Sequence, residues 1–133
     1  MSRENVEAVR EMNEAFNRGD YVAALSALAS DVEWHAPSGV SIGEEVYRGH
    51  DAVRKGFALW LDAWETYRFE PAEILDHGDH VVVSGTQTGR GRGSGVEIKL
   101  QTFNVFTLRK GKVIRMRNFD DRAEALEAAG LRE

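Results

Sequence analysis

The sequence predicts an α+β fold, helices packed on one face of an antiparallel sheet, from three observations. Apolar residues recur at three- and four-residue steps through three segments before Thr66. From Thr66 onward they alternate in twos, with turn signals between the runs. Helical spacing then returns near Asp121. Helices and strands segregated along the chain mark an α+β domain rather than an alternating α/β one.

The first helix is predicted from Arg3 to about Arg18, where Val6, Val9, Met12, Asn13 and Phe16 form one stripe. Ser2 is its candidate N-cap and Gly19 its stop. Asp20 then caps a shorter helix whose apolar face is Tyr21, Ala24, Leu25 and Leu28. "DVEWHAP" reads as a short strand ended by Pro37, and "SGVSIGEEVYRG", with no sustained period, as a loop. A third helix is expected from about Asp51 to Glu65, with Val53, Phe57, Trp60, Leu61 and Trp64 along its apolar face.

Two strands then meet at "DHGD", residues 76–79, which carries hairpin-turn chemistry. "VEIKLQTFNVFTL" follows, and "RKGK" turns it into "VIRMRNF". The final helix starts near Asp121, with Asp121 as N-cap, Glu124 at N3 and a closing glycine. Asp120 then stands at the end of the last strand.

Strand parity sorts the side chains. Val96, Ile98, Leu100, Asn104, Phe106 and Leu108 fall on one face, and Phe103 and Val105 on the other with Glu97, Lys99 and Gln101. In the last strand Ile114, Met116 and Asn118 share a side, opposite Val113, Arg115, Arg117 and Phe119. If helices cover one face only, the other is semi-apolar and mixed in charge, which predicts a homodimer through the outer sheet face. A solvated antiparallel face is the alternative.

A length of 133 residues suits one domain spanning 1–133. The net charge of −5 argues against nucleic acid as a partner, because phosphate contacts need clustered cations. No apolar run approaches the roughly 18 residues of a membrane span, and the first residues lack a signal-peptide core. With no cysteine there is no disulfide framework and no thiolate metal site, and a cytoplasmic setting is expected. The histidines show no metal-binding spacing, so no metal is expected. "GRGRGSG", residues 89–95, lacks the Lys-Ser/Thr ending of a phosphate loop and joins two strands; it reads as a hairpin tip. No cofactor is expected.

The order of elements resembles the SnoaL-like family of the nuclear transport factor 2-like superfamily. "AFNRGDYVAALSALASDVEW" is similar to that family's helix–helix–strand opening, "YRGHDAVRKGF" to its third-helix entry, and "GKVIRMRNFDDRAEALEAAGL" to its last strand and C-terminal helix. The resemblance implies a cone-like curved antiparallel sheet, an α+β barrel, wrapped around three helices with a short C-terminal helix. It also implies a pocket at the open end and, usually, a dimer. Members include polyketide cyclases, ketosteroid isomerases, epoxide hydrolases and dehydratases, so the fold does not give the activity.

Position by position, the residues that carry those activities are replaced. The general-base aspartate of isomerase-like members matches Ala36, their tyrosine donor approximately Met12, and their protonated acid Asn104. The constellation of epoxide-hydrolase-like members falls on Gly85, Gln87 and Asn118, and the inward acid of cyclases again on Asn118. What remains is an aromatic and neutral wall: Trp34, Phe57, Trp60, Trp64, Phe106 and Met116, with Gln87, Asn104 and Asn118 among them. Tyr47, in the loop where relatives form a lid, is a further ligand-contact candidate, and Glu44 and Glu45 overhang the mouth.

Two readings stay open. One is a binder of a small lipophilic molecule, polyketide-, steroid- or terpenoid-like. The other is a cyclase-, isomerase- or dehydratase-class enzyme using Asn118 and Asn104 as electrostatic groups with Asp120 or His35. Aromatics that simply fill the core are the plain alternative to both. Parity points His35 outward, and His50, His77 and His80 read as capping or turn residues.

Overall fold

The first helix, α1 (Ser2–Asn17), buries Val9 and Met12 of the stripe read from the sequence, with Ala15 beside them and Val6 and Phe16 partly buried. Gly19 supplies the left-handed turn (φ 77°) that ends it. The Asp20 carboxylate then accepts from Ala23 N at 3.1 Å and starts α2 (Tyr21–Ser26). The computed structural model describes residues 2–35 and 46–131. Ala36, Pro37, Glu44 and Glu45 therefore lie outside the described residues.

The remaining elements are β1 (Leu28–His35), β2 (Val46–Arg48), α3 (Gly49–Asp62), β3 (Trp64–His77), β4 (His80–Gly91), β5 (Glu97–Arg109), β6 (Lys112–Phe119) and α4 (Arg122–Ala128). The six strands form one curved open sheet in the order β2-β1-β6-β5-β4-β3. Lys110 (φ 53°) and Gly111 (φ 77°) make the tight turn between β5 and β6, and both need the left-handed region that hairpins of this length use. All pairs are antiparallel except β1–β6, which is parallel, with Trp34 opposite Met116. The first strand thus docks on the last, and both contribute inward residues to one wall.

Four expectations need correction. Leu28 opens β1 instead of closing α2. The third helix stops at Asp62, so Trp64 belongs to β3; Thr66 and Tyr67, both strand formers, pair with Arg90 and Gly89 instead of extending the helix. Tyr47 sits in β2 opposite Trp34, not in a loop. Val113, expected outside, is fully buried in the inner core, because the β5–β6 register shifts at Thr107/Leu108 and leaves Ile114 as the extra residue.

The main core lies between α1–α3 and the inner sheet face, with Val53, Phe57, Val81, Val83 and Leu108 among its buried members. A second cluster sits on the outer face, where α4 lays Ala125 and Ala129 against Val82, Phe103 and Val105. That overturns the premise that helices cover one face only. The apolar strip that suggested a partner is covered by the chain's own alanine-rich helix, whose small side chains allow close approach. No helix among the described residues is long and apolar enough to cross a membrane.

Candidate functional site

Between the helices and the inner sheet face lies a cavity of about 100 Å³. Met12, Asn13 and Phe16 of α1 line it on one side and Phe57 and Trp60 of α3 on another. Trp34 comes from β1 and Tyr67, Phe69 and Gln87 from β3 and β4. The β5–β6 hairpin completes it with two facing pairs, Asn104 opposite Asn118 and Phe106 opposite Met116. Arg117 borders the cavity, but its guanidinium donates to Ala128 O at 3.1 Å.

The aromatic wall is held edge to face. Phe57 meets Phe16 at 5.1 Å and Trp34 at 5.0 Å between ring centres, and Trp60 meets Tyr67 at 5.8 Å. Behind Trp34, Tyr47 stacks at 5.2 Å and 25°. A Cβ on Gly56 of α3 would come within 2.8 Å of the Trp34 ring and 2.9 Å of the Tyr47 ring, so glycine is what lets α3 close on this stack. Tyr47 is buried there and does not line the cavity; its place is to back Trp34.

Four amides, those of Asn13, Gln87, Asn104 and Asn118, supply the polar part. The Trp34 indole Nε1 donates to Asn118 Oδ1 at 3.1 Å, and Asn118 Nδ2 donates to Asn104 Oδ1. Tyr67 OH donates to Gln87 Oε1 at 2.5 Å. Burial pushes the Tyr67 phenol up to about 12, with the Trp60 indole acting in the opposite direction. Asn13 Nδ2 is buried with no hydrogen-bond partner. Among the described residues that line the cavity none is Asp, Glu or His.

The structure brings together Trp34, Phe57, Trp60, Gln87, Asn104, Phe106, Met116 and Asn118, as strand parity and helix spacing predicted. Trp64 is outside the lining; its ring lies over Gly89 and beside Trp60, which it supports from behind. Asp120 is exposed beyond the end of β6 and does not reach the cavity. Asp121 is the N-cap of α4, accepting from Ala123 N at 3.0 Å. His35 is on the outer face, where its ring nitrogen lies 3.1 Å from Glu33 in a group with Arg48 and Arg115. That group holds the Glu33 carboxyl below its usual range, chiefly through the His35 hydrogen bond. Neither Asp120 nor His35 is placed to serve chemistry in the cavity.

Sequence reasoning missed Tyr67 and Phe69 altogether. Both precede a bulge between Pro71 and Glu73, which reverses which parity faces inward along β3. Asn13 and Phe16 were legible as the buried face of α1 but not as cavity wall. At the hairpin tip, Arg92 is engaged with the carbonyls of Asp62 and Trp64 at 2.9 and 3.1 Å, tying the tip to the α3–β3 corner.

This architecture, helices seated in a curved sheet open at one end, is that of the nuclear transport factor 2-like proteins. The profile of the SnoaL-like domain matches residues 9–116, and the chain belongs to that family. A nuclear transport factor 2-like protein of unknown function from Burkholderia pseudomallei is 31% identical, with 93% of this chain and 95% of that one covered and a TM-score of 0.81. TerC, crystallised with polyporic acid, is 28% identical over 96% of this chain and 98% of its own, with a TM-score of 0.80. Bal32a, from a soil-derived mobile gene cassette, is 25% identical over 96% of each chain, with a TM-score of 0.81. No curated protein matches the chain.

Proposed function

We propose that this protein binds a small lipophilic molecule, polyketide-, steroid- or terpenoid-like, in the cavity between α1, α3 and the inner sheet face, without a carboxylate or imidazole acting on it. The supporting observation is the neutral amide chain Trp34–Asn118–Asn104 set among aromatics. Apolar walls with a few convergent polar groups are the usual make-up of a ligand site. The acids that related enzymes carry at these positions are replaced by Asn118, Asn104 and Gln87. TerC, similar over nearly its whole length, was crystallised with polyporic acid, which supports the same reading.

Size sharpens the ligand class. A cavity volume of about 100 Å³ is below the roughly 150 Å³ at which an engineered apolar cavity takes up benzene, and this cavity is open on one side. In this reading one ring occupies the cavity and further rings extend out of its open side. In this reading the protein acts in the cytoplasm as a single domain, and two copies pair over the part of the outer face that α4 leaves open.

A second reading, a cyclase-, isomerase- or dehydratase-class enzyme, rests on the same amides, since an amide N–H aimed at a developing oxyanion stabilises it. The purified protein, denatured and examined by mass spectrometry for a released small molecule, tests the primary reading. A thermal-shift series of one- to four-ring ketones accompanies it. Release of a cyclic lipophile, or stabilisation by such ketones, is the expected result; an empty protein that no ketone stabilises sinks the reading.

A further inference from the structure

The hydrogen bonds of the cavity have a direction that can be fixed without seeing a hydrogen. An indole N–H donates and never accepts, so the Asn118 atom facing Trp34 Nε1 is its oxygen. The Asn118 nitrogen then faces Asn104, and because an amide nitrogen only donates, the Asn104 atom it meets is also oxygen. Each of the two carbonyl oxygens accepts one of these bonds, and the Asn104 Nδ2 group at the cavity wall has no hydrogen-bond partner among the described residues. Across the cavity on α1, Asn13 Nδ2 is buried and has no hydrogen-bond partner among the described residues. Gln87 is set aside, because its partner Tyr67 OH can both donate and accept.

We infer that the cavity is a donor site, selecting ligands that present an acceptor oxygen (a ketone, quinone or enolate) to Asn104 Nδ2, with Asn13 Nδ2 as a second donor. This rests on the small-molecule reading and narrows it. A ring carbonyl that accepts from Asn104 Nδ2 fills an open donor, and one that reaches Asn13 Nδ2 satisfies a donor that burial otherwise leaves unpaired, which costs more than a formed bond contributes. Trp34 is the positioning residue of the arrangement: it touches no ligand oxygen, but its N–H sets the orientation of both asparagines.

The test compares 1-tetralone with tetralin, its oxygen-free isostere, by calorimetry on the full chain. Wild type should bind the ketone tighter by about tenfold, the weight of one hydrogen bond in a desolvated site. Asn104→Asp keeps the oxygen that accepts from Asn118 and replaces the free donor by an acceptor, and should erase that preference. On 15N-labelled wild type, the Asn104 side-chain NH2 signal should move with the ketone and stay in place with tetralin, a readout that needs no variant. Equal binding of both compounds, or an Asn104→Asp protein that keeps the preference, overturns the donor assignment while leaving the small-molecule reading intact. Failure of both compounds to bind removes both.

Discussion

Asn17 brackets the backbone of Phe69: its Nδ2 donates to Phe69 O at 2.8 Å, and its Oδ1 accepts from Phe69 N at 3.1 Å. Phe69 lies on β3, the edge strand of the sheet, and its ring lines the cavity. One side chain at the end of α1 thus satisfies both groups of an edge residue that would otherwise invite another strand.

Asn17→Ala leaves a part-buried donor and acceptor without their partners, and should lower stability by about 1–2 kcal/mol. Asn17→Asp, which keeps the acceptor, should lose about half as much. Urea denaturation of the three proteins measures both.

Gly85 is fixed by proximity. A Cβ there would lie 2.4 Å from Glu70 O and 2.6 Å from the Phe69 ring. Gly85→Ala should cost about 1–3 kcal/mol by overpacking and displace Phe69 into the cavity. A thermal melt reads the first effect, and reduced ligand-induced stabilisation the second.

The buried phenol of Tyr67 makes stability depend on alkali. Its folded value of about 12 exceeds the unfolded value near 10, so the unfolded chain ionises first. The contribution of this group is complete below pH 10 and is lost as pH rises toward 12. Absorbance titration at the phenolate band should show one tyrosine ionising near pH 12. Tyr67→Phe should remove both that step and the matching decline in stability, at a cost of about 1 kcal/mol for the bond to Gln87. A wild-type stability that is flat across this range contradicts the assignment.

Asn118→Asp places a carboxyl in the amide chain of the cavity. Its neighbours are the Trp34 donor and the Asn104 oxygen, so only the protonated acid serves both. Its titration should lie above the usual carboxylate range, and the variant should lose stability as pH rises through that value while wild type does not. Denaturation at pH 5 and pH 8 distinguishes the two. A variant with the same pH response as wild type shows that Asn104 can turn its amide over.

The parts of the site that could be read from sequence are those governed by a short, exact period. Asn104, Phe106, Met116 and Asn118 sit on a hairpin whose turn residues, Lys110 and Gly111, are themselves diagnostic, so alternation placed all four correctly. Tyr67 and Phe69 were lost because the Pro71–Glu73 bulge breaks the period between them and the recognisable turn at Gly78. Trp64 and Tyr47 were misassigned where a helix end and a three-residue strand carry too few residues to show a period. The role of α4 was hidden for another reason: its alanines read as helix formers, and only tertiary contact shows that they roof Val82 and Val105.

The parallel seam between β1 and β6 also has a meaning in time. Trp34 neighbours a strand that follows it by 82 positions, and its indole bonds to Asn118, 84 residues on. Such pairing closes a long loop before any contact rewards it, which slows folding. As the chain leaves the ribosome, β1 has its principal neighbour only after residues 112–119 have emerged. The cavity wall made by Trp34, Met116 and Asn118 can therefore close only once the C-terminal hairpin is in place.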